Sequence, residues 1–78
     1  MFKNFRKIAK SHKILKRLIA RREELIKLEE SVRYLITVSC GEEEKHFEDQ
    51  LRKLEDEQFL YSIAIVNTKI EIEDLIAS

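Results

Sequence analysis

The chain has 78 residues, with 15 lysines and arginines balanced by 15 aspartates and glutamates, 44% apolar residues, one glycine and no proline. That is one small domain at most. A sandwich or barrel needs a turn signal every ~8–12 residues, which a chain this poor in glycine and proline does not supply, and plentiful leucine, isoleucine and valine at zero net charge argue against disorder. Cys40 is the single cysteine, so no internal disulfide is possible and a reducing compartment fits. No apolar run approaches the ~18 residues of a membrane span, and Met1–Arg22 lacks the apolar core of a secretory signal. The sequence reads as a soluble, cytoplasmic protein.

From the N-terminus, residues at alternating steps of three and four run Ile14, Leu18, Arg21, Leu25, Leu28, Val32 and Leu35, apolar at all but Arg21. That spacing lines one face of a helix and is the seam of a coiled coil. Leu15, Ile19, Ile26 and Ile36 widen the stripe. A first helix is expected over about 6–38. Ser39-Cys40-Gly41 then breaks the pattern. Gly41 suits the left-handed conformation that ends a helix, Glu42–Glu44 suit the first turn of the next, and Ser39 with Glu42 has the spacing of a capping box.

Past the break the series resumes as Phe47, Leu51, Leu54, Gln58, Tyr61, Ile65, Thr68, Ile72 and Leu75, widened by Leu60, Ala64 and Ile76. A second helix is expected over about 42–76. Residues 61–75 admit a competing reading, because β-branched residues are dense there. A two-residue turn at Asn67-Thr68 would pair Ile65 with Ile70 and Ile63 with Ile72 on one face of a ribbon. Such a turn lacks its preferred glycine and an isolated ribbon is barely stable, so the helix is preferred.

The expected fold class is all-α, a single antiparallel two-helix hairpin over residues 1–78, coiled-coil-like. Phe59, Ile63, Val66 and Ile70 ring the second helix beyond its seam, and a helix apolar on most sides wants more than one neighbour. Dimerisation into a four-helix bundle supplies it. A polar layer is expected where Arg21 or Arg22 meets Gln58 and Glu57, fixing register if it is satisfied and merely snorkelling if it is not.

Net neutrality hides a polarised molecule. Residues 1–22 carry nine cations (Lys3, Arg6, Lys7, Lys10, Lys13, Lys16, Arg17, Arg21 and Arg22) and no acid. Folding at Gly41 makes the open end of the hairpin +7 and the loop end −7. The basic segment suits a macromolecular partner, most simply another protein, with nucleic acid an alternative and a membrane surface a third. Lys7 and Lys10 facing Glu71 and Glu73 across the hairpin would instead make it an ordinary solvated surface.

Cys40 and His46 lack the orienting third group and the walled pocket of a nucleophilic site, and His12 and His46 point to opposite ends of the hairpin. No metal or cofactor is implied, and no enzyme. Glu23 with Lys27 and Glu29 with Arg33 have the spacing of supporting helix pairs. The stretches RREELIKLEE (Arg21–Glu30) and Leu51–Ile76, ending KIEIEDLI, resemble short coiled-coil proteins of phages and prophages whose function is unknown. That resemblance implies an accessory protein that binds a host or phage protein or assists transcription control, without catalytic residues.

Overall fold

The computed structural model describes residues 4–78; Met1, Phe2 and the cation Lys3 lie outside the described residues. Helix α1 runs Phe5–Val38 and helix α2 Glu42–Ala77, joined by a three-residue turn and packed along their length. The β-ribbon reading of residues 61–75 fails, since α2 is continuous through them. The hairpin is a rod of 62 × 14 × 11 Å with a radius of gyration of 17.7 Å, against about 11–12 Å for a compact domain of this length.

The buried and half-buried positions of α2 follow one series, Glu44, Phe47, Leu51, Leu54, Gln58, Tyr61, Ile65, Thr68, Ile72 and Leu75, with Ser62 and Ala64 half-buried beside it. This is the line the periodicity gives, begun one step earlier. In α1 the seam runs through Asn4, Ile8, Ser11, Leu15, Leu18, Arg22, Leu25, Glu29, Val32, Ile36 and Ser39. It shares Leu18, Leu25 and Val32 with the expected line but otherwise lies one residue later. Leu28 and Leu35 are therefore not in the seam, being 48% and 38% exposed on its flank, and Ile14 lies on the same flank.

The reason for the shift lies in α2. Its seam series places Gln58 half-buried against α1. A buried amide without a partner is costly. Turning α1 so that Glu29 faces inward supplies the partner, because the Gln58 amide donates to the Glu29 carboxylate across the interface. Counting apolar residues alone does not decide, since each line holds six: the other has Leu28 where this one has Glu29, and Lys7 where this one has Ile8.

Both ends of the hairpin are tied. Asn4 Nδ2 donates to the Leu75 carbonyl at 3.1 Å and to Ser78 Oγ at 2.6 Å, closing the open end. At the turn, Ser39 is extended and Gly41 begins α2 with φ 69° and ψ −131°, a conformation open to glycine and strained for any residue with a Cβ. So Gly41 starts the second helix rather than ending the first, and neither helix start is capped by a side chain. Glu42, Glu43 and Glu44 occupy the first turn of α2, where they offset the dipole.

Leu25 is the most buried apolar side chain, at 1% exposure. Leu25→Ala should cost about 2–4 kcal/mol in urea unfolding, whereas Leu28→Ala, three residues away on the flank, should cost less than about 1 kcal/mol. Equal losses would place α1 in the other phase.

Candidate interaction surfaces

Three features of the rod stand outside simple apolar packing: a polar layer in the seam, a second apolar stripe on α2 and a basic stripe on α1. The polar layer centres on Glu29. Besides Gln58, it accepts from Arg33 Nε at 3.0 Å and Arg33 Nη2 at 2.7 Å, and Arg33 reaches Glu55 of α2 at 3.2 Å. The cluster therefore spans both helices. The hydrogen bond from Gln58, and then those from Arg33, hold the Glu29 carboxyl below its ordinary pKa, and Glu29 holds the Arg33 guanidinium above its own.

The layer is not the one expected. Gln58 meets Glu29, two helical turns from Arg21 and Arg22. Arg21 is exposed and donates to Glu24 at 2.9 Å; the Glu24 hydrogen bond, and then one to Tyr61, raise its pKa. Arg22 occupies a seam position, and its Nε is buried without a hydrogen-bond partner. Of the two expected helix pairs, Glu29–Arg33 forms and Glu23–Lys27 does not.

The second stripe faces away from α1. Phe59, Ile63, Val66 and Ile70 follow one another at steps of four, three and four, and Leu60 lies beside them. Phe59 and Leu60 are each 65% exposed and Val66 54%. Residues 58–68 hold no charge, so this face is uncharged over three turns, with Asn67 the polar residue beside the stripe. It is bracketed by Arg52 and Lys53 towards the turn and by Glu73 and Asp74 towards the C-terminus; all four are exposed, and none is in an ion pair among the described residues.

On α1, Arg6, Lys7, Lys10, Lys13, Lys16 and Arg17 are exposed. Among the described residues none of them is in an ion pair, so the pairing of Lys7 and Lys10 with Glu71 and Glu73 does not form. Elsewhere the surface offers shallow grooves, one of them lined by Leu28, Val32 and Leu54 with Gln50, Lys53 and Glu57. Cys40 is exposed, and the His46 ring tilts onto Phe47 with centroids 5.6 Å apart. Among the described residues no group of three or more histidines, cysteines or acids is placed to hold a metal, and no helix is long and apolar enough to cross a membrane. No protein-family model, curated protein or solved structure matches the chain.

Sequence reasoning located the cations and all the apolar seam positions of α2. It missed Glu29, whose signal was present: an acid that falls on the 15–22–29–36 line, with a lone glutamine on the seam of the other helix. It also treated Phe59, Ile63, Val66 and Ile70 as girth rather than as a line with its own 4-3-4 spacing.

The lowered Glu29 pKa has a definite sign. Its contribution to stability is complete above the ordinary value of 4.5 and is lost as the pH falls through the lowered folded value. Melting temperature should therefore drop between about pH 5 and pH 3 more steeply for the wild type than for Glu29→Gln. Parallel pH profiles for the two proteins would remove Glu29 from the account.

Proposed function

We propose that this protein is a non-enzymatic helical interaction module whose first partner is a second copy of itself. The observation that carries this reading is the uncovered stripe Phe59–Ile63–Val66–Ile70 on the outer face of α2. An exposed, contiguous apolar line at coiled-coil spacing is the surface that a further helix covers.

The charges around the stripe select the occupant. An antiparallel copy of α2, related by a two-fold axis at Ile63, sets Arg52 opposite Asp74 and Lys53 opposite Glu73, ten or eleven residues either side of the axis. These ion pairs lie about 15 Å from the centre at both ends. Between them Ile63 meets its own copy, Leu60 meets Val66, Phe59 meets Asn67, and Asp56 falls beside the Lys69–Ile70 step. A parallel pairing sets Arg52 against Arg52 and Glu73 against Glu73, and like charges in register repel. The antiparallel arrangement is isologous and closed, two hairpins joined through their second helices into four helices. Each copy keeps its basic α1 stripe on the outside, available to a macromolecular partner.

Sedimentation equilibrium at micromolar concentration should give a dimer for the wild type and a monomer for Ile63→Glu. Reversing Arg52 and Lys53 to glutamate should weaken the dimer by about tenfold or more. Combining that change with Glu73→Lys and Asp74→Lys should restore it. A wild-type monomer, or a charge-reversed quadruple variant no tighter than the double, would contradict the reading.

A further inference from the structure

We infer that the outer face of α1 is a docking strip for the phosphodiester backbone of a double-stranded nucleic acid, a role independent of the apolar face of α2. Arg6, Lys10, Lys13 and Arg17 succeed one another at steps of four, three and four, and so form one line along the helix. The line is about 16 Å long. Lys7 and Lys16 flank it, and all six cations are exposed. No acid occurs in the sequence before Glu23, and the acids that return beside this end, Glu71, Glu73 and Asp74, form no ion pair with any of the six. The surface therefore holds a row of positive charge that the fold itself does not neutralise.

The fold also distinguishes between the polyanions that such a row could meet. A helix that lies on a membrane buries an apolar face beside its basic one. Here that face is already used: Ile8, Ser11, Leu15 and Leu18 lie in the seam against α2. Phe5 and Ile14 stay exposed, but nine residues of helix set them on opposite flanks, so together they make no face. Single-stranded nucleic acid is held by aromatic side chains on which bases stack, and the line from Arg6 to Arg17 has none. What is left is a straight, rigid, wholly electrostatic strip, and its complement is the regular phosphate ladder of a duplex in water. The contact reads charge spacing and not base edges, so binding is independent of sequence and falls steeply with salt.

The test is fluorescence anisotropy of the full chain with labelled 20-base-pair DNA and RNA duplexes, from about 50 to 200 mM salt. Four phosphate contacts give a log–log slope of about −3 to −4, a loss of about a hundredfold in affinity over that range. Lys10→Gln with Lys13→Gln should lower the slope by about two, with the helix content by circular dichroism unchanged. Binding to either duplex with that behaviour supports the inference, and the two duplexes show whether DNA or RNA geometry fits better. No anisotropy change at 50 mM salt, a slope unaltered in the variant, or tighter association with phosphatidylglycerol vesicles than with either duplex would overturn it. Ile63→Glu run alongside separates the two surfaces, since it should leave the salt slope of the strip unchanged.

Discussion

Two helices packed only on each other can cover one stripe apiece. Every other feature of this molecule follows from that limit. The seam takes the 4-3 series from each helix, and Leu25, Val32, Ile65 and Ile72 are the buried apolar side chains among the described residues. Four such residues are a thin core for 78, so the rod depends on length, on its tied ends and on whatever covers the rest. α1 meets the limit by being polar or basic on its outer face near the open end. α2 does not meet it, because its second half is apolar on opposite sides.

The polar layer shows how a weak core is made specific. Glu29 and Gln58 replace an apolar contact, which lowers stability compared with a leucine pair, but they fit together in one rotational phase of α1. Arg33 then joins the layer to Glu55 on the far helix. The alternative phase would bury Leu28 and Leu35 and leave Gln58 without its acceptor. This hydrogen-bonded pair thus favours one of two nearly equal apolar lines as the inside, and the other stays a partly exposed flank.

Much of the fold is legible in the sequence because helix geometry is short-range. The break at Ser39–Gly41, the two helix spans and the α2 seam from Phe47 to Leu75 follow from spacing and from the lone glycine. The phase of α1 does not, because its apolar residues fall on adjoining lines: Ile14 beside Leu15, and Leu35 beside Ile36. Choosing between them takes a contact 29 residues distant in the chain, which no local pattern contains. The β-branched run from Ile63 to Ile72 left a competing reading open for a related reason. Its alternation suits a ribbon locally, but the heptad line through Tyr61, Ile65, Thr68 and Ile72 has α1 to pack against, and tertiary packing overrides propensity. The cations were legible individually, while their lack of acidic partners depends on how the two helices are rotated.

The two outer faces differ in kind. α2 carries an apolar stripe bracketed by opposite charges, for which we propose an inverted copy, and α1 a row of cations in no ion pair among the described residues, for which we propose a duplex. The proposed cover for the outer face of α2 is an inverted copy of the chain. Cys40, exposed in the turn and without a second cysteine in the chain, reports on it directly. With a nitroxide on Cys40, double electron–electron resonance should give one intermolecular distance of about 65 Å, since each label lies some twenty residues of helix beyond a shared centre at Ile63. A distance under about 30 Å would mean parallel pairing, the absence of dipolar modulation would mean an isolated hairpin, and either would contradict the account.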